Sequence, residues 1–532
     1  MLPTDLPFHG AGEVRPDFPD VVSMFDYAVA NAADAPALTH LGRTITYGEE
    51  ALAAAGLAQR LANIGAGKGI EGQTVALLLP NSIEYHVAYF ATLMARGVPT
   101  LLNPLYPPTQ LEPLLRDSEP RVLICEPSQR STLIELTVRM GKPDILDLGD
   151  SGAIDVHALI KEGTAGRPNL DVSPDLPAAL LHTGGTTGIP KGVEHSHAAI
   201  MAAVRCMEWG WPTRAREEVW LPITPMFHIY GLLMGVLNPV YGCGHVVVPE
   251  RFSPEIIVKA LADHRITIFG GGPPSIYAAV LSASNLASAD LSALRVCPAG
   301  AAPLPVELIE RWHRATGLHI YEGLGMTEMS PIAVNTETYG RKAGSVGKPV
   351  PCNTVQIVDL ENGTQVLPTG VPGEIRVTGP QAMKGYRGRA AKAGEGLRNG
   401  FIYTGDIGYL DEDGFLVISD RKKDVILVKG FNVFPREVEE VLNTHPGVVA
   451  AGVIGIADDR DGERILAFVT PQNDTSVSEP ELRALCAKLL VPYKHPREYR
   501  FITELPLTAA NKLDRIRLRE MSEHAMRGAS RS

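Results

Sequence analysis

LLHTGGTTGIPKGVEHSH, residues 180–197, joins a short apolar run to a loop of glycines and threonines that contains Lys191. Residues 177–182 predict a buried strand, and residues 196–206 predict a helix with Ser196 as its N-cap. Backbone N–H groups, threonine hydroxyls and an ammonium group suit a polyphosphate, and glycine lets the backbone approach it closely. The stretch therefore predicts a phosphate-binding loop between a strand and a helix.

The spacing of this loop differs from that of the common P-loop, in which a glycine precedes the lysine and a serine or threonine follows it. Here Pro190 precedes Lys191 and Gly192 follows it. For the loop taken alone, a surface connection that binds no ligand is the alternative interpretation. The candidate phosphate-binding residues are Thr183, Gly184, Gly185, Thr186, Thr187, Gly188 and Lys191.

Composition and charge indicate a large globular protein. The chain has 532 residues, of which 45% are hydrophobic and 20% charged, and its formal net charge is −11. This length predicts more than one structural unit. Because the net charge is negative and no dense run of Lys and Arg occurs, we expect no nucleic-acid partner.

Cysteine spacing and apolar runs indicate the cellular compartment that we expect for the protein. The six cysteines form no CxxC pair, so we expect buried thiols in a reducing compartment and neither a disulfide framework nor a zinc site. The first ten residues lack the pattern of a signal peptide, which favours a cytoplasmic location. Residues 219–248 are apolar but are interrupted by prolines and polar residues. They predict buried strands and helices and no membrane span.

Strand-like and helix-like segments alternate through most of the chain. Residues 74–80 predict a strand, 81–97 a helix, 98–103 a strand, 111–120 a helix and 121–126 a strand. This alternation predicts an α/β fold with largely parallel sheets flanked by helices.

The pattern changes after Gly344, where short β segments are separated by glycines. We place a domain boundary near residues 420–424, which gives a large N-terminal domain, 1–420, and a small C-terminal domain, 421–532. In the small domain Pro435 predicts the start of a helix.

A series of further sequence blocks follows the opening loop in a fixed order. The blocks are PMFHIYG (225–231), CPAGAAPLP (297–305), YEGLGMTEMSP (321–331), GSVGKP (344–349), YTGDIGYLDEDG (403–414), DRKKDVILVKGFNVFPREVEEVL (420–442) and PLTAANKLDR (506–515). Together with TGGTTGIPKGV they resemble the ANL superfamily of adenylate-forming enzymes, which includes acyl-CoA synthetases, peptide-synthetase adenylation domains and luciferases. The resemblance implies a large N-terminal domain with a β-barrel-like subdomain, and a small mobile α+β C-terminal domain.

The resemblance also implies two half-reactions. A carboxylate attacks the α-phosphate of ATP, which gives an acyl-adenylate and pyrophosphate, and the thiol of coenzyme A then displaces AMP. A carboxylate is a poor acyl donor because its leaving group would be oxide, and adenylation supplies a better one. The implied cofactors are ATP, Mg²⁺ and coenzyme A.

Residues within the matching blocks take roles by this resemblance. Glu328 is the expected Mg²⁺ ligand, since Mg²⁺ prefers oxygen donors and keeps waters and phosphate oxygens, and Thr327 would face the α-phosphate. Asp406 would accept hydrogen bonds from both ribose hydroxyls, and Arg421 would donate to the ribose or a phosphate. Lys512 would reach the acyl carboxylate and the α-phosphate, where a cation stabilises the transition state of adenylation.

The adenine ring is expected against the segment Gly300, Ala301 and Ala302. On its other face, Leu324 stands where relatives often carry an aromatic residue. Glu322 and Gly323 would contribute polar or backbone contacts at the floor of this pocket.

The second half-reaction is assigned to other residues by the same resemblance. His228 would gate the passage between the acyl pocket and the thiol channel, and a buried structural histidine is the alternative interpretation. The small domain would turn about Lys423, presenting Lys512 before the turn and the loop with Gly430 after it. Asn511 stands where relatives often carry glycine, and Asn tolerates left-handed backbone better than most residues.

Several activities share this superfamily. Residues 420–442 favour an acid:CoA ligase, whereas His228 disfavours an amino-acid adenylation enzyme, in which an Asp usually stands at that position. An amide synthetase or a luciferase-like second step stays open. A module that only binds nucleotide is disfavoured because Lys512, Glu328 and Asp406 are all present.

The substrate is expected to be a small carboxylic acid with an apolar body, either fatty, aryl or alicyclic. Glycine-rich residues 269–277 predict either a wide acyl cavity or only a tight turn. The oligomeric state stays open between a monomer and a homodimer.

Overall fold

The computed structural model describes residues 16–64, 70–138, 143–147, 155–183, 191–387, 397–458, 460–472, 477–507 and 513–529, with the side chains of the last range up to Glu523. The chain divides into two compact units. The first consists of Met1–Val355 with Val377–Ile402, and the second of Gln356–Arg376 with Tyr403–Ser532.

Helices and strands alternate as the sequence predicts. The helices are α1 Val21–Ala32, α2 Tyr47–Ile64, α3 Ile83–Met94, α4 Pro108–Ser118, α5 Arg130–Thr137, α6 Val156–Gly163, α7 His197–Gly210, α8 Ile229–Leu232, α9 Asn238–Tyr241, α10 Pro254–Asp263, α11 Pro274–Leu281, α12 Val306–Thr316, α13 Pro435–Asn443, α14 Glu479–Leu489 and α15 Arg515–Ala529. A π-helical turn, Leu233–Leu237, connects α8 to α9.

The strands, numbered in chain order, are β1 Pro36–His40, β2 Arg43–Thr46, β3 Thr74–Leu78, β4 Val98–Leu101, β5 Val122–Cys125, β6 Asp144–Asp147, β7 Pro177–Thr183, β8 Lys191–Ser196, β9 Val219–Pro222, β10 His245–Val248, β11 Ile268–Gly270, β12 Cys297–Ala299, β13 Ile320–Met326, β14 Met329–Val334, β15 Lys348–Pro349, β16 Thr354–Val358, β17 Gly373–Thr378, β18 Gly385–Tyr386, β19 Leu397–Arg398, β20 Phe401–Leu410, β21 Leu416–Arg421, β22 Ile426–Val428, β23 Phe431–Val433, β24 Val448–Asp458, β25 Gly462–Pro471 and β26 Glu498–Phe501.

The first unit is built on mostly parallel sheets. In one sheet the order is β18-β8-β7-β4-β3-β5-β6, with parallel pairing from β7 to β6 and antiparallel pairing at β8 and β18. In a second sheet the order is β11-β9-β10-β1-β2, parallel except between β1 and β2. The predicted α/β class with largely parallel sheets is confirmed.

Continuous apolar runs explain the parallel sheet. Every residue of β3, β4 and β5 is buried, as expected for strands that helices cover on both faces. The adjoining helix α3 begins after Ser82, whose side chain accepts the N–H of Tyr85 at 3.1 Å. Helix α4 begins earlier than predicted, at Pro108, because proline fits the first helical position without losing a hydrogen bond.

Residues 219–248 form β9, α8, the π-helical turn, α9 and β10. They are the buried strands and short helices that the interruptions in this apolar stretch predict. Among the described residues, no helix is both long enough and apolar enough to cross a membrane.

The glycine-punctuated region after Gly344 forms antiparallel strands. One sheet has the order β16-β17-β20-β19, with β21 paired to β20. A further sheet has the order β23-β22-β25-β24, with β26 parallel to β25. Helix α13 begins at Pro435, as predicted. The second compact unit starts before residue 420. The boundary at 420–424 between the domains 1–420 and 421–532 stays a prediction.

The expectation that all six cysteines are free thiols is wrong for one pair. Cys206 on α7 and Cys352 form a disulfide across a sequence separation of 146 residues, with their Cα atoms 7.3 Å apart. The other four remain buried thiols outside the disulfide: Cys125, Cys243, Cys297 and Cys486. Sequence spacing missed the pair because the fold brings together cysteines that are far apart in the chain.

Candidate active site

The strand pair β7–β8 holds both ends of the predicted phosphate loop. Thr183 and Lys191 are register partners in this antiparallel hairpin. The predicted binding residues Gly184, Gly185, Thr186, Thr187 and Gly188 lie outside the described residues. The structure thus places Thr183 and Lys191 side by side, at the mouth of the predicted loop.

The glycine after Lys191 is required by packing. A Cβ atom at Gly192 would lie 2.8 Å from Oδ2 of Asp117 and 3.3 Å from Nε2 of His182. His182 and Asp117 are themselves 3.2 Å apart through the same two atoms. The hydroxyl residue that follows the lysine in a common P-loop would therefore require the Asp117 side chain to move here.

Glu328 and Thr327 occupy the turn between β13 and β14. Glu328 is only 8% exposed, and its Oε1 accepts a hydrogen bond of 2.8 Å from the hydroxyl of Tyr386. The ring of Tyr386 also lies beneath the Nζ of Lys191, 5.1 Å from the ring centre. One tyrosine therefore contacts both the candidate metal ligand and the lysine of the loop.

This carboxylate fits Mg²⁺ better than a metal held by protein groups alone. Among the described residues, no three His, Cys, Asp or Glu side chains form a metal-binding group. Mg²⁺ is usually bound by one or two carboxylates together with waters and substrate phosphates. A single nearly buried glutamate beside a predicted phosphate loop agrees with that pattern.

Thr327 is positioned through its backbone by a buried histidine. Nε2 of His195 lies 2.7 Å from the carbonyl oxygen of Thr327 and must donate to it. Burial lowers the pKa of His195 to about 4. The ring is therefore neutral at physiological pH, with its hydrogen on Nε2, and fixes the turn without adding charge.

The predicted adenine segment packs closely against β13. A Cβ atom at Gly300 would lie 2.9 Å from the carbonyl oxygen of Gly323, and Ala301 has a φ of 67°. Oε1 of Glu322 accepts the N–H of Leu304 at 3.2 Å. The Glu322 carboxylate thus holds this segment in place as well as lying at its floor.

The remaining predicted adenine contacts lie on the same two segments. Ala302 follows Ala301 in the turn after β12, and Leu324 is the register partner of Ala333 in the β13–β14 hairpin.

The loop that precedes His228 is held by the start of α3. Asn81 donates to the carbonyl oxygen of Thr224 at 3.2 Å and accepts the N–H of Met226 at 2.7 Å. The hydroxyl of Tyr85 donates to the carbonyl oxygen of Met226 at 2.8 Å. Three hydrogen bonds therefore fix the backbone two residues before the predicted gate.

His228 is the N-cap of α8. Its Nδ1 accepts the N–H of Tyr230 at 3.3 Å, so a neutral His228 ring carries its hydrogen on Nε2. This contact fixes both the ring orientation and the tautomer.

The glycines near the predicted acyl pocket serve close packing. A Cβ atom at Gly271 would lie 2.9 Å from the ring of Tyr277, and one at Gly272 would collide with the hydroxyl of Thr224. Gly272 also has a φ of 78°, which favours glycine. Of the two interpretations of this glycine-rich stretch, the tight turn is the one that the structure supports.

Two tyrosines support the strand that leads into the adenine segment. The hydroxyls of Tyr230 and Tyr277 both donate to the carbonyl oxygen of Pro298, at 3.2 Å and 2.7 Å. Burial raises the pKa of both phenols, so both remain donors.

In the second unit, Asp406 and Arg421 are register partners across β20 and β21. Lys423 is exposed and lies in a short 3₁₀ turn after β21. Gly430 has a φ of 82° and follows Lys429, with a φ of 53°, in the two-residue turn between β22 and β23. Positive φ at both positions is typical of a type I′ hairpin turn. Lys512 and Asn511 lie outside the described residues.

Three supporting residues were missed at the sequence level. Tyr386 lies far along the chain from the predicted phosphate loop. Asn81 stands just before a helix, and His195 lies in the opening stretch but has no role assigned from the sequence. Each acts by a contact that joins distant parts of the chain, and a single sequence carries no signal for such a contact.

The family of the chain follows from comparison with known proteins. Residues 25–387 match the AMP-binding enzyme family, and residues 437–512 match the AMP-binding enzyme C-terminal domain. The chain therefore belongs to the AMP-binding enzymes, the family to which the loop and the Glu328 turn point.

Individual relatives match over nearly the whole length. The long-chain-fatty-acid–CoA ligase of Bacillus subtilis is 34% identical, over 94% of this chain and 94% of its own. The 4-coumarate–CoA ligase 2 of Oryza sativa subsp. japonica is 32% identical, over 94% and 93%. The ATP-bound crystal structure of MatB from Rhodopseudomonas palustris is similar with a TM-score of 0.84 and 29% identity, over 94% and 98%.

Proposed function

We propose that the protein activates a carboxylic acid with ATP, forming an acyl-adenylate and pyrophosphate, and then transfers the acyl group to coenzyme A. The observation that carries this proposal is the contact of Tyr386 with both Glu328 and Lys191. This contact supports the proposal because it joins the candidate metal ligand to the lysine of the predicted phosphate loop. Nucleotide chemistry at a phosphate is the reaction type that this arrangement suits.

In the first half-reaction, Lys191 and the loop hold the β- and γ-phosphates, which leave as pyrophosphate. Glu328 would hold Mg²⁺, which would offset the negative charge of the phosphate oxygens. Thr327, fixed by His195, offers its hydroxyl to the α-phosphate. Lys512 supplies the cation between the acid and the α-phosphate, where charge moves during the transfer.

In the nucleotide, the ribose hydroxyls are assigned to the Asp406 carboxylate, because one carboxylate can accept from both hydroxyls of a diol. Arg421 orients that carboxylate through their ion pair. The adenine lies on the Gly300–Ala302 segment with Leu324 on its other face.

In the second half-reaction, His228 separates the acyl pocket from the path of the thiol. A turn of the small domain about Lys423 exchanges Lys512 for the hairpin turn with Gly430, so that one pocket serves both steps.

The acid is inferred to have an apolar body. Tyr230 and the glycines at 271 and 272 pack tightly, and the relatives are named for long-chain fatty acids and for 4-coumarate. Both names support a carboxylic acid whose distant end carries no charge.

The direct test is pyrophosphate release with a panel of fatty, aryl, alicyclic and amino acids, each with and without coenzyme A. We expect release with fatty or aryl acids and a CoA thioester only when coenzyme A is present. Activity confined to amino acids would contradict the proposal, and an amide formed from an added amine would favour an amide synthetase.

Lys512→Ala tests the two half-reactions separately. It should suppress adenylation by about 100-fold or more, since it removes a cation from the transition state, while supplied acyl-AMP should still yield thioester. Lys488→Ala on an exposed face of α14 is the matched control and should leave both steps unchanged. Equal loss of both steps in Lys512→Ala would refute its assignment to adenylation.

A further inference from the structure

We propose that Tyr386 is a positioning residue that couples the metal ligand to the phosphate loop. Its hydroxyl fixes the carboxylate of Glu328, and its ring supports the ammonium of Lys191. This assignment rests on the proposed function and adds a residue that the sequence motifs did not identify.

The contact of the Tyr386 hydroxyl sets the orientation of the Glu328 carboxylate. The Tyr386 hydroxyl donates to Oε1 of Glu328 at 2.8 Å, the usual distance of an O–H···O hydrogen bond. This bond engages one oxygen of the carboxylate, so Mg²⁺ would be held by a carboxylate whose orientation Tyr386 sets. Groups that hydrogen-bond a metal ligand in this way set its orientation, and their loss commonly weakens metal binding about 10- to 100-fold.

The aromatic ring of Tyr386 contacts the second partner, Lys191. Nζ of Lys191 lies 5.1 Å from the centre of the Tyr386 ring, within the range of a cation–π attraction. Lys191 begins β8 at the end of the predicted phosphate loop. The same side chain therefore limits the movement of the lysine that would hold the outgoing phosphates.

The backbone around Tyr386 is held independently of its side chain. The N–H of Met383 donates to the carbonyl oxygen of Glu328 at 2.8 Å, and the N–H groups of Lys384 and Arg387 donate to carbonyl oxygens of β8 at 2.7 Å. Strand β18, which pairs with β8, lies between Lys384 and Arg387. Removing only the phenolic oxygen should therefore leave the segment in place.

The two contacts can be separated by substitution. Tyr386→Phe removes the hydroxyl but keeps the ring beneath Lys191, whereas Tyr386→Leu removes both. Tyr499→Phe is the matched control, because Tyr499 also donates its hydroxyl, to Sγ of Cys486 at 3.6 Å, and also has a cation over its ring, Arg483 at 5.1 Å.

The experiment is calorimetric titration of ATP into each protein without acid or coenzyme A, once in EDTA and once in excess Mg²⁺. For Tyr386→Phe we expect ATP affinity within about 2-fold of wild type in EDTA and about 10-fold weaker in Mg²⁺. Tyr386→Leu should lose a further 2- to 5-fold, roughly, in both conditions, as the cation–π attraction is lost. Tyr499→Phe should match wild type in both.

Two results would overturn the assignment. If Tyr386→Phe weakens ATP binding equally with and without Mg²⁺, or not at all, the hydroxyl does not act through the metal ligand. If wild-type protein gains no ATP affinity from Mg²⁺, the proposed function itself fails, and this assignment fails with it. The wild-type titration separates the two cases.

Discussion

Oδ1 of Asp406 lies 2.7 Å from Nε of Arg421, and the two residues are direct neighbours on adjacent antiparallel strands. The sequence placed them in separate motifs and assigned both to the nucleotide. Because the two side chains form an ion pair, substitution of either one should disturb both of the contacts that are assigned to the nucleotide.

Asp406→Asn should therefore weaken ATP binding by about 10- to 100-fold, the usual effect of losing a hydrogen bond to a charged group. Arg421 is half exposed, so the loss of this ion pair should alter stability by no more than about 1 kcal/mol. Calorimetric titration of ATP and thermal melting check the two effects. Glu412→Gln, at an exposed position in the β20–β21 turn, is the control. Unchanged ATP affinity in Asp406→Asn would refute the ribose assignment.

Asn81→Asp tests how the gate loop is held. The new side chain can still accept the N–H of Met226 but can no longer donate to the carbonyl oxygen of Thr224. We expect the KM for the acid to rise about 5- to 10-fold, the equivalent of one hydrogen bond of 1–1.5 kcal/mol, with ATP affinity unchanged in the absence of acid.

Asn31→Asp is the control for this substitution, because Asn31 also donates to a backbone carbonyl, of Tyr27 at 2.8 Å, but at an exposed position on α1. Equal increases of KM in the two variants would show that the effect is not specific to the loop.

Glu50 and His86 form a fully buried pair between α2 and α3. Nδ1 of His86 lies 3.2 Å from Oε1 of Glu50, and Nε2 donates to the carbonyl oxygen of Gly235 at 2.8 Å. Glu50→Ala should lower the free energy of unfolding of the first unit by about 1–3 kcal/mol, because a buried polar ring loses its hydrogen-bond partner. Glu50→Gln should recover most of this loss, since an amide N–H can donate to Nδ1.

Tryptophan fluorescence during urea unfolding is the measurement, since the four tryptophans of the chain all lie in the first unit. Glu162→Ala removes an exposed ion pair with Arg60 and should cost at most about 1 kcal/mol. A similar cost for Glu50→Ala and Glu162→Ala would contradict the prediction.

The first unit should lose stability in mild acid. Burial lowers the pKa of His197 from 6.5 to about 4, and its Nδ1 accepts the N–H of Val21 at 3.2 Å. Below pH 6.5 the unfolded ring takes up a proton that the folded ring does not. The contribution of His197 is therefore complete above pH 6.5 and is lost toward pH 4 at about 1.4 kcal/mol per pH unit.

His197→Gln keeps an oxygen acceptor for Val21 but cannot titrate. Unfolding followed by fluorescence at pH 7 and pH 5 should show a decline in stability about 2 kcal/mol smaller than in wild type. An identical decline in both proteins would show that His197 is not the group responsible.

The cysteine pairing has a direct chemical check. Protein unfolded without reductant should titrate four thiols, and after reduction six, because Cys206 and Cys352 are joined. Closing so long a loop is expected to stabilise the first unit by about 2–5 kcal/mol. Titration of six thiols without reductant would show that the bond does not form.

Short-range features were predictable from the sequence. The apolar runs of β3, β4 and β5 predict strands covered on both faces, and Ser196 and Pro435 mark the starts of α7 and α13 correctly. Each prediction depends on residues close together in the chain, where spacing and capping chemistry decide the structure.

The contacts that organise the site were not predictable in this way. Tyr386 meets Glu328 across 58 residues, and Asn81 meets Met226 across 145 residues. Such contacts depend on how whole sheets pack together. The sequence motifs identify only one of the two residues in each contact. The glycines at 271 and 272 show the same limit, since only their packed neighbours reveal that they serve a tight turn.

The carbonyl oxygen of Pro298, which accepts hydrogen bonds from both Tyr230 and Tyr277, has a consequence for redesign. Under the proposed function, Tyr230, two residues after the predicted gate His228, is a natural position to alter in order to accept a different acid, yet it supports the strand that leads into the predicted adenine segment. A smaller side chain there would change acid selectivity and ATP affinity together. New selectivity would thus be reached more readily through compensating changes on α11, which supplies Tyr277, than through Tyr230 alone.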